Sequence, residues 1–406
     1  MRSEEAVAAF PIDHPDRAAV LFNLGRILIS KLQRTKHPHD LEYASQCFKE
    51  CVELHSAAPT LRIDAAFKLF IILAEVQNWT EASEITKIAV NLLSRVSSRS
   101  LNQNDQQHMI RRYAGLASHA AAAAIQAGKP ETDAVQLLEL GRGVIANLQF
   151  EAKTDLTDLR RQNPQLAKEF EHLRDSLDAS PSQCLVSTEP TTVGSSRHSA
   201  GRDLDKTIDR IRQLPNFERF LLPPTANELM AAAAPMHLVV LINVSTFRCD
   251  ALLIQHDSIT VLNLPRLHEA TIKKVAIGMR SCSLTKNQML ELLQWLWEAL
   301  TGPVLDALGF CEPVTTENWP RMCWIPTGPL CHVPIHAAGY HRQASSRTVL
   351  DRVVSSYSPS IKALLYARRN VAQRSHSQAC DKAVLISMDT TPGQNQCSRQ
   401  AGPARS

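Results

Sequence analysis

The sequence predicts a multidomain α and α/β chain: an N-terminal helical solenoid, then an α/β domain that is only partly present. Three observations predict it. Apolar residues recur with a period near 3.6 over 13–150. A stretch rich in Ser, Thr, Pro and Gly, without apolar period, occupies 179–203. Beyond it, β-branched runs alternate with amphipathic ones, the pattern of strands interleaved with helices.

The helical region opens after a short tail, 1–12. HPDRAAVLFNLGRILISKL places Leu21, Leu24, Leu28 and Leu32 on one face, with Gly25 beside them. Leu21, Leu24, Gly25 and Leu28 fit the first half of a tetratricopeptide (TPR) repeat. LEYASQCFKECVEL supplies Ala44, Phe48 and Cys51 at the spacing of the second half, and an excess around RTKHPHD predicts a longer turn than usual. A second pair keeps Leu69, Leu73, Trp79, Ala82 and Ala89 in register but puts Phe70 in the glycine slot. In a third pair, Gly128-Lys129-Pro130 stops one helix and restarts the next. Within LELGRGVI, Gly141 and Gly143 are expected at close helix contacts, with Glu139 and Arg142 pairing locally. Such repeats bury a face only by stacking, so a solenoid follows.

A charged connecting helix is predicted over 151–178, with Pro164 marking a break or a new first turn. The flexible linker 179–203 precedes an α/β region over 204–389. There, 238–244, 248–254 and 258–264 read as an antiparallel meander, followed by helices, buried strands at 322–325 and 383–388, and a strand–turn–helix in TVLDRVVSSYSPSIKALLYARR. The tail 390–406 is polar and aperiodic, and is expected to be disordered.

Composition narrows the function. A formal net charge of +4 argues against nucleic acid or an anionic membrane as the main partner. No window reaches the ~20 apolar residues a bilayer requires. The apolar run Ala6–Phe10 after Glu4 and Glu5 is too short for a secretory signal, so a soluble, cytoplasmic protein is expected. Ten cysteines contain no CxxC pair, which argues against zinc. Cys47 and Cys51 lie in a helical pattern and Cys249, Cys323 and Cys331 in apolar, strand-like surroundings, so free buried thiols are expected. No cofactor is predicted.

One local match tempts a catalytic reading. Gln378-Ala379-Cys380 reproduces the start of the caspase signature Q-A-C-[RQG]-G, with His332 and His336 upstream. Asp381 and Lys382 break the signature, and Cys380 precedes a strand where a catalytic cysteine would follow one. Asp381 also disfavours a thiolate. Cys380 is therefore not expected to be catalytic. His336 and His341, five apart, make a poor metal pair.

Taken together, HPDRAAVLFNLGRIL, LLELGRGVIA, DLRRQNPQLAKEFEHLRDSLD, FERFLLPPTANELM, VVLINVSTFRCDALLI, WIPTGPLCHVPIHAAGYH, LDRVVSSYSPSIKALLYARR and AVLISMDTTPGQ resemble fungal CHAT-domain proteins. In these, TPR repeats precede a caspase/separase-like domain. The resemblance implies a cysteine-peptidase-like α/β sandwich whose histidine lies in a His-Gly step and whose cysteine lies in a Ser-Ala-Cys step. Neither step occurs in the 406 residues. The expectation is a truncated or frame-shifted reading after Gln396, or a non-catalytic remnant. On either, the chain acts through protein contacts, and the alternative is a cysteine endopeptidase in its full-length form. Asn23, Arg26 and Lys68, on the first helices of two pairs, are the candidate peptide-binding residues, offered to a protein or peptide partner.

Overall fold

In the computed structural model, placement is described for residues 11, 15–55, 57–96, 112–153, 157–178, 203–215, 217–218, 220, 222, 224–281, 283–315, 317–342 and 346–374. Six helices are described over the predicted repeat region: α1 Pro15–Thr35, α2 Pro38–Glu53, α3 Pro59–Glu75, α4 Trp79–Val96, α5 Leu116–Gln126 and α6 Glu131–Lys153. Each described helix packs on the next. Proline stands in the first turn of α2 and α3, where its missing N–H costs nothing. Gly128, at φ 66°, ends the turn after α5 ahead of Pro130.

The first helix pair packs closely at Gly25. Gly25 faces the Phe48 ring so closely that a Cβ there would lie 2.7 Å from its Cε1. Leu21, Leu24, Ala44, Phe48 and Cys51 are buried in the same core. The long turn expected at RTKHPHD is corrected. α1 runs on to Thr35 and α2 starts at Pro38, so only Lys36 and His37 connect them. Lys36 takes φ 54° to make that tight reversal, and Lys31 Nζ closes it on Asp40 at 2.8 Å.

Pro164 begins a new helix as predicted: α7 Thr157–Gln162 is followed by α8 Pro164–Asp178. With the helix 203–212, α9, they form a small separate core of Leu159, Phe170, Leu204, Ile208 and Ile211.

α10 (Ala226–Ala231), opened by a Thr225–Glu228 capping box, leads into the sheet. Its described strands are β1 His237–Val244, β2 Cys249–Ile254, β3 Ile259–Asn263, β4 Arg321–Pro326 and β5 Val354–Tyr357, in the order β3-β2-β1-β4-β5. The meander β1–β2–β3 is antiparallel, while β4 and β5 add parallel to β1 and to each other. The predicted strand 383–388 lies outside the described residues, as do residues 179–202 of the linker and the tail.

Both faces of the central strands are covered, which is why β1 reads as an unbroken apolar run. Val240, Ile242, Leu253 and Trp324 face a core shared with α11 Glu269–Arg280, α12 Lys286–Leu296 and α13 Gly302–Ala307. Val239, Leu241, Leu252, Ile254 and Ile325 face the other way, onto Ala121 of α5 and Ala134, Val135 and Leu138 of α6. The last helix pair of the N-terminal region is thus the second helical layer of the α/β sandwich. These residues all belong to one compact unit that extends to Leu365. A second unit starts at Tyr366, within the helix α14 Ile361–Arg374.

Candidate functional site

Two places gather polar chemistry: a groove on the helical face, and the joint where that layer meets the sheet. The groove is a cavity of about 420 Å³ between α1, α3 and residues 112–116. Helical spacing puts Phe22 and Arg26 one turn apart on α1, and Asp64 and Lys68 one turn apart on α3. Arg112 donates to Asp64 Oδ2 at 2.6 Å and lies over the Tyr113 ring at 5.6 Å. Tyr113 in turn donates to the Thr60 carbonyl, and burial, with the Asp64 charge second, pushes its hydroxyl up to about 12. The Arg26 guanidinium sits 5.9 Å above the Phe22 ring. Phe67, 37% exposed, lies between these cations and the interior. Of the three candidate binding residues, Arg26 and Lys68 line this groove, whereas Asn23 is exposed on α1 outside it.

The joint is buried and polar. His119 of α5 places Nδ1 2.9 Å from Ser245 Oγ, just past the end of β1. Its ring stacks on Phe70 at 5.7 Å and meets Phe67 and Phe247 at 6.0 and 5.6 Å. Burial in this aromatic cage holds the imidazole below its usual value, with Lys273 adding to that and Glu269 opposing it. Asn243 donates to the Ser118 carbonyl at 3.1 Å. Phe70, the residue in the glycine slot, meets Phe247 edge-on at 5.0 Å. Phe70, with Trp79 and His119, therefore seats the helical layer on the β1–β2 turn.

α6 completes the joint. Arg142 donates to the carbonyls of Ile325 and Pro326, at 3.4 and 2.6 Å, at the carboxyl end of β4. Glu139, 4% exposed, accepts the N–H groups of Ile361 and Lys362 at 3.0 and 3.1 Å, capping α14. Burial pushes the Glu139 carboxyl up, opposed by those two donors and by Arg142. Glu139 and Arg142 do feel each other's charge, as expected, but their hydrogen bonds go elsewhere, Glu139 to the start of α14 and Arg142 to the end of β4. Gly141 does mark a close approach, since a Cβ there would stand 2.2 Å from that of Ala117. The expectation for Gly143 falls among side chains outside the described set.

The remaining sequence candidates separate. Cys380 lies outside the described residues. His336 is bound through both its N–H and Nδ1 to the Tyr357 hydroxyl, at 3.0 and 2.9 Å. His341 Nε2 meets the Ala337 carbonyl at 2.7 Å. Cys47, Cys51, Cys249 and Cys323 are buried thiols outside any disulfide, but Cys331 is exposed in a 3₁₀ turn, Gly328–His332, with Sγ 3.2 Å from the Pro326 carbonyl. The expectation that it is buried in a strand is corrected, because β4 ends at Pro326 and Gly328 turns the chain at φ 55°.

Among the described residues, no group of three or more His, Cys, Asp or Glu is gathered as a metal site, and no helix is long and apolar enough to cross a membrane. Sequence reading missed His119 and Ser245. Their available signals were Asn243 and Ser245 ending an apolar strand, and Phe70 replacing glycine.

Residues 290–405 match the CHAT domain family. The match starts within α12 and takes in β4 and β5. No curated protein matches the chain.

Proposed function

We propose that the chain works through protein contacts. Its helical layer, read as TPR repeats, presents the groove, and its caspase-like sheet is the body on which that layer is mounted. It has no peptidase activity of its own. The observation that carries this reading is the joint. Parallel strands of α/β sheets ordinarily hold ligands at their carboxyl ends. Here α5 and α6 bond to the ends of β1 and β4 through His119, Ser118 and Arg142. The groove, with Phe67 exposed beside Arg26 and Lys68, is then the surface offered to a partner. The absence of His-Gly and Ser-Ala-Cys steps from the sequence supports the non-catalytic part.

Two measurements test it. An Asn23→Ala/Arg26→Ala/Lys68→Ala variant of unchanged melting temperature should lose the partners that the wild type captures; retention of all of them rejects the groove as the contact face. The purified chain should cleave no peptide substrate and show no selective labelling by thiol-reactive peptide inhibitors. Labelling of Cys380 abolished by His332→Ala or His336→Ala would reject the non-catalytic reading. The match to the CHAT domain favours a second reading, a cysteine endopeptidase in a longer form of the chain, for which the same inhibitors would label the long form alone.

A further inference from the structure

We propose that the occupant of the helical groove is a protein segment carrying an acidic side chain next to an aromatic or aliphatic one. The inference rests on the contact reading above and names the chemistry that reading leaves open. Three cations and one acid line the cavity, Arg26, Lys68 and Arg112 against Asp64. Asp64 is already committed to Arg112 at 2.6 Å, and that guanidinium is held further by the Tyr113 ring. Arg26 and Lys68 have no ion-pair partner among the described residues, and both are exposed on neighbouring first helices. The groove therefore carries an excess of positive charge that its own residues do not neutralise.

Beside these cations the wall is apolar. Phe67 stays 37% exposed in the groove although its neighbours Ala66, Leu69 and Phe70 are buried. Its inner side leans on Phe70 and His119, at 6.4 and 6.0 Å between ring centres, so the ring is held in place from behind. Arg26 lies on the face of Phe22, which orients its guanidinium while leaving donors for an incoming carboxylate. A fixed ring next to two available cations fits a carboxylate and a neighbouring apolar side chain presented by one extended chain. Single-stranded nucleic acid would also use rings and cations. It calls for a continuous basic track, whereas here Asp64 and its bound Arg112 interrupt the basic rim.

The test selects phage-displayed random peptides on the full chain, then measures the synthetic winners by fluorescence anisotropy. The expected winners carry Asp or Glu within two positions of Phe, Leu, Trp or Ile and weaken as salt rises. Arg26→Glu/Lys68→Glu, both at exposed positions and used only at an unchanged melting temperature, should bind them about tenfold more weakly and select basic peptides instead. Phe67→Ala should weaken the same winners without changing their salt dependence. Winners with no acidic bias, but still lost on Phe67→Ala, overturn the proposal while leaving the contact reading intact. Winners unaffected by any of these variants, or no winners at all, overturn it too. So does tighter binding of a labelled oligothymidine than of any peptide.

Discussion

A histidine takes up a proton near pH 6.5 wherever water can solvate the charge, and the partial burial of His119 makes that charge costly. Its folded value is lowered, so protons bind the unfolded chain more readily than the folded one. The stabilisation from neutral His119 is complete above pH 6.5 and is lost as the pH falls through the lowered folded value. Thermal melts between pH 7.5 and 5 should fall more for wild type than for His119→Phe, which keeps a ring in the cage and removes the titration. Parallel curves would show that His119 does not set this dependence. His119→Ala, which empties the cage, should cost roughly 3 kcal/mol by denaturant unfolding.

At the scale of elements, the α1–α2 contact makes the clearest claim. Phe48 is fully buried, and the ring has little room to yield to a Cβ at position 25. Gly25→Ala should destabilise the chain by about 1–3 kcal/mol through overpacking. Phe48→Leu alone should also destabilise it, through the volume removed. Combined, the two should cost less than their sum, because the smaller side chain makes room for the added methyl group. Strict additivity in a double-mutant cycle would mean that the glycine is there for another reason. In α3, Phe70 lies in the helical core and also meets Phe247 edge-on.

At the scale of the molecule, the helical layer is an integral part of the sandwich. Removing it uncovers Val239, Leu241, Leu252, Ile254 and Ile325, a contiguous apolar face of the sheet. A fragment of residues 204–396 is therefore expected to self-associate or to be digested rapidly, where the full chain is not. A monodisperse, protease-resistant monomer of that fragment, seen by light scattering and limited trypsin digestion, would reject the shared core. Within the full chain, Leu138→Ala should lower stability by about 2–5 kcal/mol and shift one common transition, since Leu138 is fully buried between α6 and the sheet.

The sequence by itself determined what is periodic and local. The Leu21–Leu24–Leu28 stripe, the Pro130 and Pro164 restarts and the three runs of the meander follow from helix and strand spacing, which neighbouring residues enforce. The apolar identity of β1 was legible too, although not the two layers that cover it. Only the tertiary structure decided the joint. Glu139 and Arg142 sit three apart and look like a local pair, yet their hydrogen bonds go to Ile361, Lys362, Ile325 and Pro326, some two hundred residues away in sequence. His119 finds Ser245 in the same way. Spacing along a chain carries no information about which distant backbone groups will be left without water. Buried polar side chains are held where such groups need partners, and that demand exists only after the layers have packed.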